Sequence, residues 1–258
     1  MNKISVYIIA YNQITKIESA IKSVLWADEI LVVDSHSTDG TTELAKKLCA
    51  RVIQIPFRGF GNLRNQAVAA CRYGWIFSLD SDERCTSEVQ YEVLSIINSK
   101  EALDIYRISR KSYFMGRWIK HCGWYPDYRQ PQLFRKDSLS YINDIVHENY
   151  LCHSKKPMGY LKNSIWQIPF QDVSEMMQKA NRYSTLGVDR LEERYSKASM
   201  LLTLTHTIWT FIKVYILRWG FLDGWPGFII AMGQSYGAFY RYAKFYEKQK
   251  LNTKLDEY

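Results

Sequence analysis

The sequence predicts an α/β fold: a mostly parallel sheet flanked by helices and followed by a helical C-terminal extension. Strand-like and helix-like segments alternate over roughly the first 85 residues with short connections, the pattern of parallel strands joined by right-handed crossovers. Two apolar runs stop at aspartates followed by small polar residues, within Asp28–Thr41 and Trp75–Glu83. From Ser199 onward the pattern is helical and strongly aromatic.

Ile4–Ala10 is a continuous apolar run suited to a strand buried on both faces. A helix follows, with Ile14, Ile17, Ile21, Val24 and Leu25 on one stripe. Glu29–Val33 reads as the second strand, Thr41–Cys49 as a helix with Leu44, Ala45 and Leu48 inward, and Val52–Ile55 as the third strand. Gly61–Cys71 is a helix, Trp75–Leu79 a strand, and Ser87–Asn98 an amphipathic helix with Val89, Val93, Leu94 and Ile97 on its apolar face. Residues 104–150 pattern as strands and irregular loops with basic and aromatic residues interleaved. Asp172–Arg194 is helical with one polar face. We expect two parts: residues 1–170 as the catalytic domain and residues 171–258 as the helical extension.

Of 258 residues, 47% are hydrophobic, enough for one sizeable core and too many for wholesale disorder. The net charge of +8 suits acidic partners such as phosphates, anionic lipid or nucleic acid. The eight Trp and nineteen Tyr fall mainly after residue 100, which suits a carbohydrate platform or a membrane interface. Cys49, Cys71, Cys85, Cys122 and Cys152 are odd in number and show no CxxC spacing. Met1-Asn2-Lys3 leads straight into a strand-like run too short for a signal peptide. Free thiols in a reducing cytoplasm, each a small buried hydrophobe, are the expectation.

Ligands of open α/β sheets bind at the carboxyl ends of the strands, so the two acidic segments should share one crevice. Carboxylates held close together repel unless a cation or hydroxyl groups occupy the space between them. That points to a metal-bound, hydroxyl-rich ligand such as a nucleotide sugar. A non-catalytic nucleic-acid-binding protein is the alternative from another class, but acidic strand ends would repel a polyanion, and no nucleic-acid partner is expected.

Ser5-Val6-Tyr7-Ile8-Ile9-Ala10-Tyr11-Asn12, then Val32-Val33-Asp34-Ser35 with Ser37-Thr38-Asp39-Gly40-Thr41, then Leu63-Arg64-Asn65, then Asp80-Ser81-Asp82, in this order and spacing, resemble family 2 glycosyltransferases of the GT-A (Rossmann-like) fold. The resemblance implies that Tyr11 and Asn12 close the first strand against the nucleotide. It implies that Asp34, with Ser35 beside it, meets the uracil or ribose, and that the Ser37–Thr41 turn shapes the loop beneath the base. Arg64 and Asn65 would approach the base or diphosphate, and Asp80 and Ser81 the ribose or sugar. Asp82 would hold a divalent cation, Mg²⁺ or Mn²⁺, that stabilises the departing diphosphate. Asp39 and Ser37 are also readable as caps of the helix starting near Thr41, and Arg64 as a solvated helix-face residue.

The second half narrows the resemblance. Phe114–Asp127, Gln132-Leu133-Phe134-Arg135, Ile145-Val146-His147-Glu148 and the aromatic tail are similar to bacterial lipopolysaccharide core β-1,4-glucosyltransferases. This implies inverting transfer of a hexose, glucose from UDP-glucose, onto an inner-core heptose. Transfer onto a polyprenyl phosphate or another surface glycan is the same-fold alternative. Glu148 occupies the slot of the base, Asp127 is its rival, and His147 could contact metal or phosphate. One departure stands out: relatives carry a His two residues ahead of a Pro-aromatic pair, where this chain has Gln167 before Pro169-Phe170, and an amide is a poorer cation ligand. Arg107, Arg110, Lys111, Arg117, Lys120, Arg129, Arg135 and Lys136, mixed with Trp118, Trp124 and Tyr125, fit a pocket for a phosphorylated saccharide.

Met200–Leu217 is apolar but holds His206 and Lys213, with Arg218 at its end, and residues 225–247 mix aromatic with basic side chains. A central lysine is costly in a span. The expectation is a cytoplasmic enzyme bound peripherally to the inner face of the inner membrane, with helices lying in the interface to meet a lipid-anchored saccharide acceptor. A helical pair packed on the catalytic domain or within a dimer is the alternative. The sequence leaves the oligomeric state open.

Overall fold

The structure, a computed structural model, describes residues 1–128, 130–142, 149–195 and 197–255. Strands and helices alternate as β1 (Ile4–Ala10), α1 (Ile14–Lys22), β2 (Glu29–Asp34), α2 (Thr41–Lys47), β3 (Arg51–Gln54), α3 (Phe60–Ala70) and β4 (Trp75–Asp80). Then come β5 (Glu83–Arg84), α4 (Ser87–Asn98), β6 (Ile105–Phe114), β7 (Arg117–Trp118), β8 (Pro131–Arg135), β9 (Leu139–Tyr141), β10 (Tyr150–Cys152) and β11 (Gly159–Gln167). Five helical segments finish the chain: α5 (Val173–Leu186), α6 (Val188–Arg194), α7 (Met200–Phe211) continuing as a π-helical stretch through Leu217, a 3₁₀ turn at Gly220–Asp223, and α8 (Gly224–Leu255).

Two compact units emerge. The first comprises residues 1–111 and 127–167, the second residues 112–126 and 168–258. The C-terminal unit therefore begins at Ile168 and also takes in the segment 112–126, which the expected split after residue 170 leaves in the catalytic domain.

In the first unit the sheet order is β3-β2-β1-β4-β8-β6-β11-β5. β1 runs parallel to β2 and β4, and β2 to β3, while β8 pairs antiparallel with β4 and β6. The α/β class expected from the sequence is the observed one. Along β1, Val6 and Ile8 pack with Ile17 and Ile21 of α1, whereas Tyr7 and Ile9 pack with Leu63 and Ala67 of α3. Burial on both faces explains why the strand reads as an unbroken apolar run. Ile14 and Leu25 were expected on the inward stripe of α1, yet both are exposed, because the helix is only two and a half turns long and its buried face is Lys16, Ile17, Ala20 and Ile21. Cys71, Cys85 and Cys122 are buried, Cys49 and Cys152 exposed, and all five are free.

In the second unit Asp172 and Ser199 cap their helices by accepting from the amides of Glu175 at 2.7 Å and Leu202 at 3.1 Å. The helix expected over Asp172–Arg194 is broken at Gly187, where the side chain of Arg241 passes so close that a Cβ would collide with it. α8 is partly buried within this unit. Ile230, Ala231, Tyr242 and Phe245 are buried, in clusters with Met176 of α5, Leu191 of α6 and the α7 segment.

Candidate active site

Parallel register brings the two acidic segments to one edge. Asp34 ends β2 opposite Ala10 of β1, and Asp80 ends β4 opposite Ile9. Both therefore stand at the carboxyl ends of neighbouring strands, where open α/β sheets bind ligands.

Asp34 is fully buried and organises the loop that follows it. Its carboxylate accepts from the Ser37 hydroxyl, the Ser37 amide at 2.9 Å, the Thr42 hydroxyl at 3.0 Å and Gln54 Nε2 at 3.5 Å. A carboxylate has about four acceptor sites, so this one is saturated, and a base or ribose would have to displace a protein donor to reach it. Asn12, at φ +51°, stitches the same loop: its amide donates to Ser37 Oγ at 2.8 Å, and its side-chain oxygen accepts from the Thr38 amide at 2.9 Å. Asp39 joins two helix starts, accepting from the amides of Ile14 and Thr41, both at 3.0 Å, and from the Thr41 hydroxyl. Burial alone would raise its pKa, but the Thr41 hydroxyl and these amides outweigh it and hold the carboxyl below the ordinary range. Asp39 stands one residue before Gly40, the N-cap of α2, and ties the two helix starts together. Gly40, at φ +92°, makes the turn into α2. Tyr11 is half exposed, and the Ser35 hydroxyl is buried without a protein partner among the described residues.

Arg64 is not a solvated helix residue. It is 1% exposed, and its guanidinium donates to Ser78 Oγ at 3.0 Å and to Asp80 at 2.9 Å, so it braces α3 against the end of β4. Asn65 commits both halves of its amide to the backbone of Tyr141, at 2.7 and 2.8 Å, which fixes β9 to α3. One N–H and one lone pair of the Asn65 amide remain beyond these two bonds.

Beneath Asp80-Ser81-Asp82 lies a network of buried groups. Glu83 is completely buried and accepts from Arg110 Nε, from Gln132 Nε2 at 2.9 Å and from the Asp80 amide at 2.9 Å. Burial pushes its pKa up to about 7 against the pull of Arg110, with the charges of Asp80 and Asp82 adding to the rise. Burial works against the charge on Arg110, but Glu83 and then Asp80 outweigh it, and the guanidinium stays protonated. Asp127 belongs to the same cluster: its carbonyl accepts from the Arg110 amide at 3.3 Å, and its carboxylate adds to the field on that guanidinium. Gln167 Nε2 lies 3.5 Å from Asp82, at the place where the resemblance puts a histidine in relatives.

Among the described residues no three His, Cys, Asp or Glu side chains gather into a cation cage. The donor set still fits Mg²⁺ or Mn²⁺, since Asp82 offers a carboxylate next to an amide, and hard cations of this kind commonly bind one or two carboxylates together with substrate phosphates. His147, Glu148 and Arg129 lie outside the described residues. The expected basic pocket is smaller than the sequence suggests. Arg110 is buried on Glu83, Arg107 bonds the Tyr150 hydroxyl, Arg135 pairs with Asp104 at 3.3 Å, and Lys136 Nζ donates to the carbonyls of Ala69 and Cys71.

Sequence reasoning assigned no role to Glu83 or Gln132 and misplaced Arg110. One signal was available for the last. Ile108, Arg110 and Ser112 share one face of β6, and an arginine in register with a core isoleucine requires a buried carboxylate partner.

An acidic sheet edge of this kind, on a sheet whose first four strands are parallel, is compatible with a GT-A type glycosyltransferase. The family model for glycosyl transferase family 2 matches residues 5–150, and the chain belongs to that family. It is 30% identical to an uncharacterized glycosyltransferase of Rickettsia bellii over 95% of this chain and 86% of the relative. It is 27% identical to the lipopolysaccharide core biosynthesis glycosyltransferase LpsC of Rhizobium meliloti, over 97% and 94% of the two chains. Among solved structures it is similar to glucosyl-3-phosphoglycerate synthase from Mycobacterium tuberculosis, 29% identical over 45% of each chain with a TM-score of 0.36.

Proposed function

We propose that this glycosyltransferase moves glucose from UDP-glucose onto an inner-core heptose of lipopolysaccharide, by inverting displacement at the cytoplasmic face of the inner membrane. The acceptor reading is carried by the near full-length likeness to LpsC. The acceptor hydroxyl attacks the anomeric carbon opposite the departing phosphate, the C–O bond to UDP breaks, and the hydroxyl proton passes to a carboxylate. Glu148 is that base and Asp127 orients the acceptor. Asp82, with His147, would hold a divalent cation, which when bound supplies charge stabilisation to the leaving diphosphate. Arg64 and the Glu83–Arg110 pair support Asp80 through its carboxylate and its amide, which favours little reorganisation on transfer.

The test pairs the purified enzyme with a panel of nucleotide sugars, Mg²⁺ or Mn²⁺, and lipopolysaccharide from a strain lacking the gene. UDP release and a mass gain of one hexose on the core are expected with UDP-glucose. A gain on polyprenyl phosphate with none on the core would overturn the acceptor. Asp82→Ala should lower turnover by at least about 10²-fold while the fold survives, and undiminished turnover in EDTA would sink the cation assignment.

A further inference from the structure

In the second unit, α7 and α8 form a hairpin whose character changes along its length. At its open end Leu202 packs on buried Tyr242 and Phe245, and Lys248 pairs with Asp189 and Glu192 at 3.1 and 2.8 Å. At its closed end large apolar side chains point outward: Trp225 is 65% exposed, Trp219 59% and Trp209 53%, with Ile216 and Phe221 beside them. Monomeric surfaces rarely leave so much contiguous apolar area bare without a partner.

The charges at this end are of one sign. Between Met200 and Leu222 the chain has no Asp or Glu, and its Lys213 and Arg218 are exposed. Asp223, the next residue, is buried and accepts from the backbone amides of Lys120 and His121 at 3.2 and 2.8 Å. The backbone of the tip is closely packed. A Cβ on Gly227 would overlap the Gly220 carbonyl, so the two backbones touch. Trp219 is held at φ +58°, a strained conformation for a bulky residue, with its indole stacked on Phe221 at 6.2 Å and still open to solvent.

We infer that this tip inserts into the surface of an anionic bilayer, indoles and Phe221 at the headgroup boundary and Lys213 and Arg218 on lipid phosphates. Aromatic rings and lone cations without acids are the composition that membrane interfaces select. Met200–Leu217 is long and apolar enough to cross a membrane by length and composition, with 11% of it buried. Shallow insertion accounts for it better, because Lys213 interrupts it and its partner α8 carries Arg241, Lys244 and Lys248 toward the open end. The inference deepens the proposed function and rests on it only for the lipid anchor of the acceptor, since vesicle binding is measured without turnover.

The full chain is sedimented with phosphatidylethanolamine–phosphatidylglycerol vesicles and with phosphatidylcholine vesicles. Wild type should prefer the anionic vesicles and be released by salt. Trp219→Ser/Phe221→Ser/Trp225→Ser should weaken binding by about tenfold or more, through lost aromatic burial. Lys213→Gln and Arg218→Gln should each weaken it about fivefold and flatten the salt dependence. UDP-sugar hydrolysis should be unchanged in all of them, and only transfer to vesicle-embedded acceptor should fall. Equal vesicle binding by the triple variant would overturn the inference. So would carbonate-resistant association with a protected C-terminus, or a soluble dimer that the triple variant dissolves. If vesicles bind but no sugar reaches any acceptor, the docking surface stands and the acceptor reading fails.

Discussion

The acidic edge of the first unit and the hairpin tip of the second handle their awkward side chains in opposite ways. At the edge, buried charge is matched: Arg64 on Asp80, Arg110 on Glu83, and four donors on Asp34. At the tip, large apolar groups stay bare, with two exposed cations near them. Buried ion pairs add little net stability but fix positions, because removing one partner strands the other. Bare apolar surface fixes no position and asks only to leave water. The paired groups of the edge are held in place by one another, whereas the side chains of the tip need only cover from water.

The largest expected effect lies at the proposed base. Glu148→Gln should lower kcat by about 10²- to 10⁴-fold and leave UDP-sugar affinity nearly unchanged, because the amide keeps the shape but takes no proton. Asp127→Asn should cost less. The reverse order in a kinetic comparison would move the base to Asp127, next to Arg110.

Next comes the support beneath the edge. Arg110→Met leaves Glu83 buried without its cation and should destabilise the fold by about 3–5 kcal/mol in urea unfolding. The double variant Arg110→Met/Glu83→Gln should recover part of that loss. A single variant as stable as wild type would show that the pair does not hold the edge together.

These partnerships were the part the sequence concealed. β1 and α4 have the predicted bounds, and β2, β3, β4 and α3 fall within a residue of them, because apolar periodicity reports which segments cross the core. Periodicity does not report partners. Glu83 and Arg110 are 27 positions apart, and only the strand parity of Arg110 hinted that it was inside. The four motif segments do converge at one edge, yet Asn65 and Asp34 turn out to bond their own protein, since a motif shows where a polar residue is needed and not what it bonds. α8 is a related case. It packs against α5, α6 and α7, so its apolar residues are spread around its circumference and resemble an interfacial helix.

A smaller effect is expected at the other end of β2. Glu29 is buried and accepts from the Ser5 hydroxyl, the Arg72 amide at 2.7 Å and Arg51. Burial alone would raise its pKa, but these partners outweigh it and hold the carboxyl below its ordinary value. A depressed folded pKa means that the unfolded chain takes up the proton first. The stabilisation is therefore present above the unfolded pKa and lost as pH falls through the folded one. Glu29→Gln should lower Tm at neutral pH and flatten the acid limb of Tm against pH. An unchanged acid limb would show that Glu29 is not among the groups that set it.

The smallest expected effect gives the sharpest view of the contrast. Trp219→Ser, Phe221→Ser and Trp225→Ser replace side chains that already face water, so each should change stability by no more than about 0.5 kcal/mol. Removing exposed apolar area from the folded state can even help, because the unfolded chain exposes the same groups and gains nothing by comparison. Trp219 adds a second reason. It sits at φ +58°, and Trp219→Gly would relieve that strain while deleting the indole. Glycine there should hold or raise Tm as vesicle binding falls, whereas alanine should lose the binding without the relief. Urea midpoints for these five variants, read beside Arg110→Met, decide the matter. If the tip substitutions cost as much as the buried arginine, the indoles belong to a core and the tip is no surface.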